Sequence, residues 1–151
     1  MLRARLGEAL KSAMKAKDER RVSTLRLILA ALKDRDIAAR GEGNAEGIAD
    51  EDILNMLVTM IRQRRDSIAF YKKGRRDDLV RQEQEETEII KDFLPKQLDE
   101  HEVEAASREM IAEVGAKGLK DMGRIMAGLK ARYAGRMDFG KASGIIKEIL
   151  T

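Results

Sequence analysis

Thr87-Glu88-Ile89-Ile90-Lys91-Asp92-Phe93-Leu94-Pro95-Lys96-Gln97-Leu98-Asp99 holds the only proline of the chain and separates one helical pattern from another. Ile89, Ile90, Phe93 and Leu94 share a helical face. Pro95 lacks an N–H and disfavours an α conformation at Leu94, which predicts that the helix stops there. Asp99 is a good N-cap, and Glu102 can return a bond to the cap's own N–H, so Asp99-Glu100-His101-Glu102 reads as a capping-box variant opening a new helix. The expected domains are therefore 1–94 and 95–151.

The composition is that of helices. Charged residues make up 38% and aromatics 3%, and one proline in 151 residues leaves long stretches uninterrupted. A chain of this length buries roughly two-thirds of the surface its unfolded form exposes, enough for two small bundles. Upstream of the proline, Leu2, Leu6, Leu10, Ala13 and Met14 recur at helical spacing beside Arg3, Arg5, Lys11, Lys15 and Lys17, giving a basic amphipathic helix. Asp18 or Glu19 opens a second helix with Val22, Leu25, Ile28, Leu29 and Leu32 inward and Gly41 as its stop. The loop 41–47 has three glycines, but no Gly-Lys-Ser/Thr follows and no strand precedes it, so it does not read as a nucleotide cradle. Asp50 is expected to cap a third helix (Ile53, Leu57, Met60, Ile61, Ile68 inward; Arg62, Arg64, Arg65 outside) that ends at Gly74. Asp77 is expected to cap a fourth, with Glu83, Glu85, Glu86 and Glu88 on a hydrated face.

Downstream, Val103, Ala106, Met110, Ile111 and Val114 predict a helix ended by Gly115. Met122, Ile125, Met126 and Leu129 predict a short second one, and Ala142, Ile145, Ile146, Ile149 and Leu150 a third capped by Asp138. The expected fold is all-α, an N-terminal four-helix bundle followed by a C-terminal three-helix bundle.

The chain has no cysteine, which removes disulfides and thiolate metal sites and gives no reason to place it in an oxidising compartment. The basic start lacks an apolar secretory segment and no run approaches the ~20 apolar residues of a membrane span, so a cytoplasmic protein without a membrane partner is expected. The net charge of +3 is unevenly spread. Residues 1–40 hold 11 Lys/Arg against 5 Asp/Glu, residues 41–114 hold 11 against 19, and residues 115–151 hold 8 against 3. Two basic ends suit a polyanion.

Reactive chemistry is sparse. His101, the only imidazole, lies between Glu100 and Glu102 and reads as a solvated surface residue; a zinc site is not expected. The glutamates of 83–88 could hold a divalent ion but are explained by a hydrated helix face. No catalytic residue, cofactor or metal site is assigned. Lys120-Asp121-Met122-Gly123-Arg124-Ile125-Met126-Ala127-Gly128 is more informative, because two glycines in a short helix each cost about 1 kcal/mol relative to alanine. Bare backbone at Gly123 and Gly128 suits close approach by another surface, either a neighbouring helix or an RNA sugar-phosphate chain. Lys117, Lys120, Arg124, Lys130, Arg132, Arg136 and Lys141 surround them and are the candidate phosphate contacts.

Lys120-Asp121-Met122-Gly123-x-x-Met126, with Gly135-Arg136 and a helix ending Ile149-Leu150, resembles the tail domain shared by the GatB subunit of tRNA-dependent amidotransferases and the YqeY proteins. Met14-Lys15-Ala16-Lys17-Asp18, Thr24-Leu25-Arg26, Gln63-Arg64-Arg65-Asp66-Ser67-Ile68, Gly74-Arg75-x-Asp77-x-Leu79 and Phe93-Leu94-Pro95-x-Gln97-Leu98 are similar to the stand-alone YqeY pattern. One departure is Gly135-Arg136-Met137-Asp138-Phe139-Gly140, where the family often has Ala-Asp-Gly after Gly-Arg. The resemblance implies the four-plus-three helix organisation and, because the GatB tail contacts tRNA, a tRNA-binding or amidotransferase-associated accessory module, with amidotransferase or synthetase components as further partners. ATP use and amide transfer in that family reside in a cradle domain and an amidase subunit, neither contained in this sequence. A glutamine-dependent carbon–nitrogen ligase by family transfer and a protein-interaction adaptor without RNA binding are the competing readings.

Overall fold

The computed structural model describes residues 1–151, which form seven α-helices and no strand. In chain order they are α1 (Leu2–Ala16), α2 (Glu19–Gly41), α3 (Asp50–Lys73), α4 (Asp77–Lys91), α5 (Glu100–Val114), α6 (Met122–Arg132) and α7 (Phe139–Leu150), with a 3-10 turn at Leu119–Asp121 before α6. Met1–Leu94 and Pro95–Thr151 are two compact units, each with its own core.

In the first unit α1 packs on α2 and α3 on α4, with α2 meeting both α3 and α4. Leu6, Leu25, Ile28, Ile53, Leu57 and Ile90 are fully buried between them. The stripe assigned to α1 holds at Leu2, Leu6 and Ala13 but fails at Met14, which is half exposed. Two of the expected caps fall one residue late: Ala49 and Arg76 occupy the N-cap positions, so Asp50 and Asp77 are first-turn carboxylates favoured by the positive end of the helix dipole. Asp18 does cap α2, accepting the N–H of Arg21 at 3.2 Å. α4 ends at Lys91, three residues before the expected stop, and the chain tightens through i→i+3 bonds from Asp92, Phe93 and Leu94 up to the proline.

The glutamate face of α4 is not uniformly hydrated. Glu86 is buried and accepts the Arg64 Nε–H at 3.0 Å, with Gln82 donating to its other oxygen at 3.3 Å. Arg64, expected outside, thus points into the α3–α4 seam, where its Nη1 also donates to the Met60 carbonyl. Burial beside Glu86 pushes the Glu83 carboxyl above its usual range. A second inward pair joins α1 to α2: Arg3 donates to both oxygens of buried Asp36, at 3.0 and 2.5 Å, and Asp36 also accepts the Ile48 N–H at 2.9 Å.

In the second unit Val103, Ala106 and Met110 of α5 pack on Ile125 and Leu129 of α6 and on Ala142 and Ile146 of α7. Burying a side chain such as Ile125 or Ile146 stabilises by about 1.5–3 kcal/mol, and truncating either to Ala should cost about 2–5 kcal/mol. Asp99 forms the full capping box: its Oδ1 accepts the Glu102 N–H at 2.7 Å and Glu102 Oε1 accepts the Asp99 N–H at 3.1 Å. Gly115 closes α5 in the left-handed region at φ 66, where a glycine carries no Cβ penalty.

Candidate nucleic-acid interface

The stretch that links α5 to α6 is organised by Asp121. Its carboxylate accepts the backbone N–H of Lys117 at 2.8 Å and of Gly118 at 3.4 Å, and the Arg124 guanidinium donates to its other oxygen at 2.6 Å. The Lys117 amide and then Arg124 stabilise the charged form against burial, so the carboxyl falls to about 2 from an ordinary 3.8. One aspartate therefore fixes the turn, leaving Lys117 and Lys120 exposed at its rim.

Along α6, Gly123, Ala127 and Lys130, spaced i, i+4, i+7, form one exposed strip, with Arg124, Ala131 and Arg132 exposed beside it. A Cβ built on Gly123 meets nothing within 4 Å, so close helix packing does not explain this glycine. Gly128 is different. A Cβ there would lie 2.5 Å from Met110 Sδ and 3.0 Å from its Cε, so the outer end of that α5 side chain would have to shift to admit it.

The seven candidate cations divide into three groups. Arg124, Arg132 and Lys141 are held by carboxylates: Arg124 by Asp121, Arg132 by Glu113 through two bonds of 3.0 and 2.8 Å, and Lys141 by Glu100 at 2.5 Å. Arg132 lowers the Glu113 carboxyl, and Glu113 in turn raises the guanidinium. Arg136 has no carboxylate partner; its Nε donates to the Lys96 carbonyl at 3.1 Å while the guanidinium lies 6.0 Å from the Tyr133 ring centroid. Lys117, Lys120 and Lys130 are exposed and form no ion pair. Lys147 on α7, absent from the candidate set although it belongs to the same basic tail, is exposed as well. Met137, at the departure from the family turn, is 2% exposed and belongs to the core with Phe139 packed against it.

On the rival basic surface of α1 the two arginines are committed to structure. Arg3 is bound to Asp36, Arg5 donates to the Asp92 carbonyl at 2.7 Å with its guanidinium 5.2 Å from the Phe93 ring, and Lys11 lies 3.5 Å from Glu8. Lys15 and Lys17 remain exposed. His101 is exposed, no group of three or more His, Cys, Asp or Glu side chains could hold a metal ion, and no helix is long and apolar enough to cross a membrane.

A Lachancea thermotolerans protein named altered inheritance of mitochondria protein 41, mitochondrial, is 37% identical over 113 residues, 74% of this chain and 58% of its own length. Proteins of the same name from Saccharomyces cerevisiae strain YJM789 (42% over 86 residues; 56% of this chain, 44% of theirs) and Eremothecium gossypii (40% over 91 residues; 60% and 48%) are similar too. The chain thus spans about half the length of these curated relatives. Their names overturn the cytoplasmic expectation, since each is designated a mitochondrial protein. A family model described as Yqey-like protein matches residues 3–150. Because that match runs through both units and all seven helices, this chain belongs to the Yqey-like protein family.

Proposed function

We propose that this chain is a tRNA-binding accessory module whose contact surface is the turn before α6 and the outward strip of that helix. The observation that carries the reading is the set of three exposed lysines without carboxylate partners, Lys117, Lys120 and Lys130, beside the low strip of Gly123 and Ala127. A flat strip flanked by unpaired ammonium groups lets a sugar-phosphate backbone approach closely and releases counterions when it does. The resemblance of this region to the tRNA-contacting tail of GatB points the same way. Arg124 and Arg136 sit at the edge of the surface, and Arg132 and Lys141 are already neutralised by Glu113 and Glu100.

Association with amidotransferase or synthetase components is a further step of the same proposal. A carbon–nitrogen ligase activity has no cysteine to draw on as a nucleophile and no Gly-Lys-Ser/Thr phosphate loop. The test is a filter-binding titration of bulk tRNA against the full chain over a salt series. We expect binding with log affinity falling linearly against log salt, and similar affinity for different tRNAs, because phosphate contacts position an RNA without reading its bases. Absent binding would leave the protein-interaction adaptor as the better reading.

A further inference from the structure

The tip between α3 and α4, Phe70-Tyr71-Lys72-Lys73-Gly74-Arg75-Arg76, follows two aromatic residues with four cations and has no acidic residue within these seven positions. α3 turns Ile53, Leu57, Met60 and Ile61 inward. With a rotation of about 100° per residue, Tyr71 continues that stripe and is half-buried, while Phe70 leaves it. Phe70 is 73% exposed, more than any other large apolar side chain in the seven helices. Tyr71 meets it edge to face, with centroids 5.9 Å apart and planes at 67°, a contact that does not cover the ring as a stacked partner would.

Three of these four cations are available. Lys72, Lys73 and Arg75 are exposed and have no ion pair, whereas Arg76 donates twice to Asp78, at 3.2 and 3.1 Å. Asp66 lies upstream of the tip, and Asp77 and Asp78 directly follow it. The N–H groups of Arg75 and Arg76 close the helix on the carbonyls of Lys72 and Tyr71, with Arg75 in the left-handed region at φ 55.

We propose that this tip is a contact for unpaired nucleotides of an RNA, with a base stacked on Phe70 and the adjoining phosphates met by Lys72, Lys73 and Arg75. Stacking on an exposed ring tolerates any base, and cations beside the ring track the backbone. An anionic membrane would attract the same cations, but a helix lying in a membrane interface needs a whole apolar face. The apolar face of α3 is buried in the first unit, and a single ring suffices for a base. The inference does not rest on the surface at 117–141, and its test uses an oligonucleotide with no tRNA fold.

The chain has no tryptophan, so Phe70→Trp introduces one indole whose emission reports stacking. The full chain is titrated with a mixed-sequence, single-stranded RNA decamer. We expect the indole emission to be quenched on binding, and Phe70→Ala to weaken binding about 5- to 150-fold. Replacing Lys72, Lys73 and Arg75 with Ala should flatten the log affinity against log salt plot by about 0.7 units for each phosphate no longer neutralised. A decamer of abasic ribose phosphates should bind the parent and Phe70→Ala alike. The proposal is overturned if the parent does not bind the decamer, if Phe70→Ala binds it as tightly as the parent, or if the indole is not quenched at saturation. Phosphatidylserine vesicles bound in preference to the decamer would overturn it in favour of a membrane surface. Decamer binding that persists while tRNA binding is unaffected by removal of Lys117, Lys120 and Lys130 would refute the 117–141 surface alone.

Discussion

The Asp121 carboxylate accepts the backbone N–H of Lys117 at 2.8 Å, so a residue inside the Lys-Asp-Met-Gly motif sets the turn from which the neighbouring lysines project. This group titrates near 3.8 in an ordinary setting and at about 2 in the folded chain. Between those values the unfolded state binds more protons, so the stability contributed by Asp121 is full above about pH 4 and drains away as the pH falls towards 2. Melting temperatures of the parent and Asp121→Asn, compared from pH 5 to pH 2, should converge as acid is added. An advantage of the parent that is undiminished at pH 2 would contradict this role.

Arg3, Asp36 and Ile48 lock the loop before α3 to α1 and α2. Gly47 lies against the pair at φ 84, where an added Cβ would collide with the Asp36 carboxylate. Asp36→Ala leaves the Ile48 N–H without its acceptor and should cost about 1–3 kcal/mol in denaturant unfolding. Gly47→Ala should also destabilise, because it adds both the collision and a left-handed non-glycine residue. Wild-type stability for either variant would mean that the loop is not held this way.

The two glycines of α6 should respond oppositely to a side chain. Gly123→Leu places the chain in open space and should stabilise by up to about 1 kcal/mol through helix propensity. Gly128→Leu drives into Met110 and should destabilise by about 1–3 kcal/mol. Thermal melts of the two variants decide the matter, and equal shifts would show that Met110 does not oppose a side chain at Gly128.

What could be read from the sequence was what acts over one turn of chain. The Asp99–Glu102 capping box spans three residues and is visible as a pattern. The Arg64–Glu86 bond joins residues twenty-two positions apart, and a helix pattern alone assigns both charges to solvent. Gly123 and Gly128 look alike as letters, yet five positions turn them about 140° apart, and only the placement of the Met110 side chain decides which one meets a neighbour. Counting cations located the basic tail but could not show that Glu113 on α5 already holds Arg132. Met137 lies between helices, where no periodicity marks a core residue, and its burial depends on how the turn packs.

Arg75, rather than the adjacent Gly74, adopts the left-handed conformation that closes α3. A left-handed non-glycine residue costs about 1–2 kcal/mol, so Arg75→Gly should raise the unfolding free energy by about 1 kcal/mol while weakening binding of single-stranded RNA. Chemical denaturation and the decamer titration on the same variant test both halves. A rise in stability with RNA binding unchanged would remove Arg75 from the proposed RNA surface.

The placement of tRNA on the turn and outward strip at 117–130 is tested most directly by the salt dependence of tRNA binding in full-length variants. Changing Lys117, Lys120 and Lys130 together to Ala should weaken binding similarly for every tRNA and flatten the log affinity against log salt plot by up to about 0.7–0.9 units for each phosphate no longer neutralised, with helix content unchanged. Changing Lys15 and Lys17 to Ala should leave the slope as it was. If the Lys15/Lys17 variant loses the slope and the Lys117/Lys120/Lys130 variant binds as the parent does, the interface lies on the first unit and the placement at 117–130 is contradicted.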